Sequence, residues 1–331
     1  MTKKFIIITS IFSPTEAVKA FAALDEYKLI VVGDNKTPKD WHEDNVIFYP
    51  IEDQLNEGGS FARLLPENHY TRKMLGYLKA AKMGANIIID TDDDNIPKTY
   101  WSFPSFEGRF QVSEPNMGFV NTYSYFTDMH IWPRGLPLSQ IKAGAGSIGE
   151  AQLSESETCI GVWQGLADED PDVDAIYRLT NNAPCFFSER DPIVLKKGTV
   201  CPFNSQNTAF RKELFALLYL PAFVTFRFTD ILRGLVAQPI MWLYDYYLGF
   251  TKATVIQKRN EHDYTKDFES EIPCYLQSSK ILEIVSECLD ASKNISDNLC
   301  AAYAGLAKHN IVCDREVECV KAWCSELASQ I

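Results

Sequence analysis

Asn86-Ile87-Ile88-Ile89-Asp90-Thr91-Asp92-Asp93-Asp94-Asn95 runs an apolar, β-branched segment straight into a crowd of carboxylates. The run Asn86–Ile89 predicts a short strand, and the acidic cluster falls at its carboxyl end. Just upstream, Tyr70, Met74, Leu75, Leu78 and Ala81 share one helical face, with Gly84 where a C-terminal cap belongs. Further out, Lys4–Thr9 reads as a strand ending in Ser10 and Pro14, and Thr15–Leu24 carries helical spacing. Lys28–Val32, closed by Gly33-Asp34, and Val46–Tyr49 add two strands. Strands alternating with helices predict an α/β fold with a largely parallel sheet. Ligands of such sheets bind beyond the carboxyl ends of the strands. Three polar turns, Thr9-Ser10, Gly33-Asp34-Asn35-Lys36 and Asp90 to Asn95, are therefore expected to face one crevice.

From about Trp101 to Val200 the chain is irregular and rich in Pro, Gly and aromatics, with a helix start expected at Asp170-Pro171. A strand from Phe203, a helix near Arg211–Leu218, a long helix near Thr229–Tyr247 and a last strand at Ala253–Gln257 follow. Beyond Ile272 the pattern turns regular and amphipathic, as in Ile281, Leu282, Ile284, Val285 and Leu289. Residues 1–270 are thus read as a catalytic core and 271–331 as a small C-terminal helical appendage.

The chain has 331 residues and a net charge of −12, which argues against nucleic acid or anionic lipid as partner. An acidic protein accepts a small anion only through local cations, helix N-termini or a bound metal. Nine cysteines without a C-x-x-C pair fit reduced thiols rather than a disulfide framework, hence a cytoplasmic protein. The N-terminus mimics a signal peptide, but Glu16 and Lys19 interrupt it and a first strand is the simpler reading. Leu214 to Phe226, the greasiest stretch, contains Pro221 and falls short of the ~20 residues that span a bilayer, so membrane contact is expected to be peripheral at most. The cysteine-bearing terminal helices read as packing or homo-oligomer contacts.

Crowded carboxylates at a strand end repel one another unless a cation neutralises them. Hard oxygen ligands suit Mg2+ or Mn2+, which keep open positions for waters and phosphates. A solvated acidic turn is the competing reading. EF-hand spacing, a Walker A loop and a G-x-G-x-x-G loop are all absent.

Several segments in order resemble the STELLO-type glycosyltransferase family of plants. They are Thr9 to Thr15, Val32 to Pro38, Tyr70 to Leu78, Asp90 to Pro97, Ile131 to Gly135, Gln164 to Ala175, Asn204 to Thr208 and Phe226 to Gly234. The first third is also similar, more distantly, to the reversibly glycosylated polypeptides, which include UDP-arabinopyranose mutases. The resemblance implies a GT-A fold, Rossmann-like, and use of a nucleotide sugar, with a UDP-sugar as the expected donor.

It further implies roles. Asp92 would touch the ribose, Asp94 would ligate the metal, and Asp93 would serve the loop or the nucleotide. Asp34, Lys36, Thr9 and Ser10 would line the nucleotide slot, although ordinary turn chemistry accounts for Asp34, Thr9 and Ser10 as well. Arg72 and Lys73 sit in a first helical turn, where the macrodipole disfavours cations, so each calls for a ligand or a carboxylate partner. His262 would complete the metal shell or be a surface residue. Asp230 is read either as a helix cap or as the base that deprotonates an acceptor hydroxyl. Trp132 and Arg134 would stack on a sugar and reach a phosphate, or pack as an aromatic beside an ion-paired Arg. Asp172, within the run Asp168 to Asp174, and Asn204 and Arg227 are further candidate sugar or acceptor contacts. The expected function is metal-dependent sugar transfer from the nucleotide donor to a hydroxyl of a glycan or lipid-linked acceptor. A nucleotide-sugar mutase and a catalytically silent organiser of a glycan-synthesis complex are the alternatives.

Overall fold

A computed structural model describes residues 2–259 and 263–330. Its first third runs β1 (Lys4–Thr9), α1 (Glu16–Ala22), β2 (Tyr27–Val32), β3 (Val46–Tyr49), α2 (Ile51–Glu57), α3 (Gly59–Leu64), α4 (Lys73–Lys82) and β4 (Ile87–Thr91). The middle holds β5 (Asn95–Pro97), β6 (Glu107–Ser113), β7 (Gly118–Phe119), α5 (Tyr123–Phe126), β8 (Leu153–Asp168), α6 (Ala175–Thr180), β9 (Ile193–Leu195), β10 (Thr199–Val200) and β11 (Asn207–Arg211). Then come α7 (Thr229–Trp242), β12 (Tyr247–Gln257), α8 (Tyr264–Cys288), α9 (Ile295–Lys308) and α10 (Asp314–Ala328).

β1 is apolar along its length because both its faces are covered. Phe5 and Ile7 enter one core with Ile30, Val32 and Ile88, whereas Ile6 and Ile8 enter a second with Leu29, Val31 and Ile89. Strands β3, β2, β1 and β4 pair in parallel, with Ile7 beside Asp90 and Thr9 beside Val32. The three polar turns therefore leave the sheet at one edge, as the sequence requires. Thr15 caps α1, its side chain accepting from the Val18 amide at 3.2 Å.

The expected α/β class holds, but the sheet is mixed rather than largely parallel. β11 enters antiparallel between β4 and β8, and β8 continues to β6 and, in parallel, to β12. The 16-residue β8 lies in the stretch read as irregular. The helix expected at Asp170-Pro171 starts instead at Ala175, because the Asp174 side chain caps it. The segment 212–218 is a 3-10 helix, the long helix ends at Trp242, and the last strand starts earlier, at Tyr247.

α8 runs through position 270, and the terminal helices pack on the same core as the sheet. Trp323 of α10 donates to the Ala216 carbonyl at 2.9 Å and lies against Phe61, ring centroids 5.6 Å apart. Glu316 is fully buried and accepts from the Tyr219 hydroxyl and from the amides of Ala222 (3.0 Å) and Phe223 (2.8 Å). Among the described residues no helix is long and apolar enough to cross a membrane.

α4 crosses the sheet at Gly76, where an added Cβ would come within 2.6 Å of methyls of Ile7 and Val32. Gly76→Ala is expected to lift α4 and cost about 1–3 kcal/mol of stability, read as a lower denaturant midpoint at unchanged slope.

Candidate active site

The acidic turn owes its geometry to a buried charge cluster below it. Asp90, at 0% exposure, receives the Lys73 ammonium at 2.8 Å and the Arg233 guanidinium at 2.6 Å. Lys73 also donates to the Thr91 carbonyl at 2.7 Å and to Asp92 at 2.9 Å. Burial pulls the Lys73 ammonium down, but Asp90 and Asp92 more than reverse this and hold it above its ordinary range. Of the two readings open for Lys73, the carboxylate partner is the one observed, and the residue lines no part of the cleft. Burial, with Asp94 and Asp90 nearby, pushes the Asp92 carboxyl up against the opposing pull of Lys73.

Above this base lies a cleft of two adjoining lobes. Thr9, Tyr70, Asp93 and Phe226 line both. The first lobe, about 220 Å3, is walled by Asp92 and Asp94 on one side and by Arg134, Asp172, Arg227 and Asp230 on the other. Asp93 fastens the divider: the Ser10 hydroxyl donates to its carboxylate and the Thr15 hydroxyl to its carbonyl at 2.6 Å. Asp94 accepts from the Gln257 amide at 3.2 Å, and its carbonyl from the Lys258 N–H at 3.0 Å, so the end of β12 closes over the turn. His262 lies outside the described residues.

Arg134 lies between two carboxylates. It donates to Asp172 at 2.9 and 2.7 Å and to Asp230 at 3.0 and 2.9 Å. Asp230 also accepts from the amides of Ser205 (3.2 Å) and Ile231 (3.0 Å), so four donors occupy the four lone-pair positions of its two oxygens. Arg227 binds Glu271 of α8 at 2.8 Å and approaches Asp172 at 3.7 Å. Trp132 is buried outside the cleft and donates to Asp174 at 2.8 Å. Asn204 is likewise buried, holding its own loop through the Gln206 amide at 2.9 Å.

The second lobe, about 270 Å3, is lined by Ser10, Asp34, Lys36, Arg72 and the rings of His69, Tyr70 and Phe226. Tyr70 and Phe226 meet edge to face at 4.8 Å, and His69 stacks on Tyr70 at 5.6 Å. Phe226 is 54% exposed and lines both lobes. Arg72 is 1% exposed; its Nε donates to Gln54 at 2.8 Å, while its Nη2 has no hydrogen-bond partner. Burial lowers the guanidinium's pKa, with Asp34 opposing.

Among the described residues no three Asp, Glu, His or Cys side chains are grouped to hold a metal ion. The donor set fits a hard cation only in its open form, one or two carboxylates of the turn with phosphate and water oxygens supplying the rest. Asp94 is the member of the turn that faces the first lobe without serving Lys73 or Ser10. Tyr70, Phe226, Gln206, Gln257, Arg259 and Ser205 also line the cleft and were not singled out from sequence. Gln257 was the most accessible to such reasoning, since it ends a strand at the edge where ligands bind.

The sequence profile of the STELLO glycosyltransferases matches residues 227–330, which include Arg227, Asp230 and the terminal helices. Two Arabidopsis thaliana proteins are similar over more of the chain. The probable glycosyltransferase STELLO2 is 25% identical over 352 residues, covering 98% of this chain and 45% of its own length. The probable glycosyltransferase STELLO1 is 29% identical over 265 residues, covering 73% of this chain and 34% of its own. The chain thus spans less than half the length of these relatives.

Burial raises the Asp172 carboxyl, but Arg134 and then Arg227 outweigh it and hold the group down at about 2. A folded value below the unfolded one gives stability that is full above pH ~4 and fades as pH falls toward about 2. The stability gap between the protein and its Asp172→Asn variant is expected to narrow by on the order of 1 kcal/mol from pH 5 to pH 3, measured by urea unfolding.

Proposed function

From its similarity to the STELLO glycosyltransferases, we propose that this chain transfers a sugar from a nucleoside diphosphate sugar, with the donor laid across both lobes of the cleft. The observation that carries the reading is the shared divider. An aromatic lobe in which one buried guanidinium nitrogen, Arg72 Nη2, has no partner adjoins, at Asp93, a lobe of carboxylates and arginines.

The second lobe suits a nucleoside. Its rings offer a flat apolar surface to a base, and Arg72 Nη2 needs an acceptor oxygen to recover the hydrogen bond it lacks. Asp34, which accepts from the amides of Asn35 at 2.7 Å and His69 at 3.1 Å, keeps acceptor capacity beside it. A donor next to an acceptor matches an N–H next to a C=O, an edge that uracil and guanine present and cytosine lacks, and we take a UDP-sugar as the donor. The diphosphate then crosses the divider at Thr9 and the acidic turn. There Asp94, with Asp92 beside it, would hold Mn2+ or Mg2+. Such an ion, when bound, supplies charge stabilisation to the departing diphosphate.

The sugar enters the first lobe, where Asp172 and Arg227 face its hydroxyls and the acceptor, and where Arg134, its five donors spent on Asp172, Asp230 and the Arg227 carbonyl, holds both carboxylates in place. For Asp230 to take the acceptor's proton, one of its four hydrogen bonds must open; orienting a hydroxyl needs a smaller adjustment. We assign the acceptor to a glycan or lipid-linked hydroxyl at the open side of this lobe.

UDP is expected to raise the melting temperature in the presence of Mn2+ and not in its absence, whereas Asp94→Asn should abolish the metal-dependent part. Arg72→Met should weaken UDP roughly 10- to 100-fold, the scale of a lost hydrogen bond to a charged donor. The proposal is wrong if no nucleotide among UDP, GDP and CDP gives a metal-dependent shift, or if Asp94→Asn leaves that shift intact.

A further inference from the structure

The loop 203–206, between β10 and β11, forms part of the wall of the first lobe, and its polar groups are almost fully spent. The Asn204 amide donates to Gln164 at 3.0 Å, and its carbonyl accepts from Arg233 at 2.8 Å and Thr208 at 2.7 Å. The Gln206 carbonyl accepts from the Thr91 hydroxyl at 2.7 Å and the Asn95 amide at 2.8 Å. The Ser205 amide donates to Asp230 at 3.2 Å. Among the loop's buried side-chain nitrogen and oxygen atoms, one has no partner. Ser205 is 3% exposed and lines the first lobe, and its hydroxyl has no hydrogen-bond partner.

A buried hydroxyl without a partner carries a penalty comparable to a lost hydrogen bond, and a loop fixed at so many points cannot swing to relieve it. A ligand in the lobe can supply the missing partner. Position narrows which part of the ligand this is. Ser205 lines the first lobe and not the nucleoside lobe. Its neighbour Gln206 is bonded to Thr91 and Asn95, the residues that bracket Asp92 to Asp94, so the hydroxyl is tied to the turn expected to carry the diphosphate. On its other side it is tied to Asp230. Between a diphosphate and Asp230, the next group along a nucleotide sugar is the sugar ring. The chemistry agrees: a serine hydroxyl both donates and accepts, as a sugar hydroxyl does. A phosphate oxygen only accepts, and a charged donor such as Arg227, which lines the same lobe, serves it better.

We infer that Ser205 Oγ is a specificity-determining contact to a hydroxyl of the transferred sugar, an assignment that rests on the donor-binding reading above. It contributes to the affinity for the sugar moiety and leaves that for the nucleotide alone untouched.

The test is calorimetric titration, in Mn2+, of UDP and of UDP-glucose, UDP-galactose, UDP-xylose and UDP-arabinopyranose into the full chain and its Ser205→Ala and Ser205→Cys variants. Cysteine fills the space of serine but bonds weakly, which separates hydrogen bonding from packing. Both variants are expected to bind UDP within twofold of the unaltered protein and to bind its tightest UDP-sugar roughly 5- to 50-fold more weakly. The inference is overturned if both variants keep the unaltered affinity for that sugar, if cysteine alone keeps it, if UDP weakens equally, or if no UDP-sugar binds differently from UDP. A change confined to the acceptor's KM would also overturn it, because the contact would then be with the acceptor. Failure of the unaltered protein to bind UDP at all would instead sink the donor-binding reading itself.

Discussion

Asp90 is a carboxylate with no exposure to solvent, and the architecture of the cleft follows from the need to neutralise it. An unpaired charge at that depth is prohibitive, and removing one partner of such a group costs about 3–5 kcal/mol. Two cations meet the need, one on each carboxylate oxygen, Lys73 from the start of α4 and Arg233 from α7. Each then uses its spare donors on a loop of the site. Lys73 reaches the Thr91 carbonyl and Asp92, and Arg233 reaches the Asn204 carbonyl. One buried charge thereby fixes the acidic turn, the loop at 203–206 and the helix that carries Asp230.

A second charge network, around Arg134, lies in the wall of the first lobe and links it to the C-terminal helices. Glu271 of α8 holds Arg227, and the Ser270 hydroxyl accepts from the Arg227 amide at 3.1 Å. The Thr225 hydroxyl donates to the Ser270 carbonyl at 2.6 Å, and Glu316 of α10 holds the amides of Ala222 and Phe223. Segment 219–227, with Phe226 at its tip between the two lobes, is thus strapped in place by helices that read from sequence as packing or oligomer contacts. Their bonds give them a direct part in shaping the cleft.

The first third of the chain was legible because its strands are buried on both faces and its turns are polar, so periodicity and punctuation agree. The middle was not. β8 begins Leu153-Ser154-Glu155-Ser156-Glu157-Thr158, a solvent-facing half whose charges hide a central strand that becomes fully buried only from Ile160 onward. Side-chain chemistry was legible by type and less so by partner. Arg72 and Lys73 both announced themselves as misplaced cations, yet Lys73 turns into the buried charge cluster of Asp90 and Arg72 lines the second lobe. That difference is set by Asp90 and Gln54, which sequence spacing cannot bring together with them. Asp172 and Asp230 are distant in sequence and meet only through Arg134. Trp132 and Asn204 are buried, the Trp132 N–H donating to Asp174 and the Asn204 Oδ1 accepting from the Gln206 amide.

The central claim is that a nucleotide sugar spans the two lobes with its diphosphate at the acidic turn. A crystal structure with UDP and Mn2+, the metal located by its anomalous scattering, tests it most directly. The account predicts a manganese peak within bonding distance of Asp94, the diphosphate beside it, and the uracil between Asp34 and Arg72 against the rings of Tyr70 and Phe226. Manganese away from the turn, or UDP bound outside the two lobes, would contradict it.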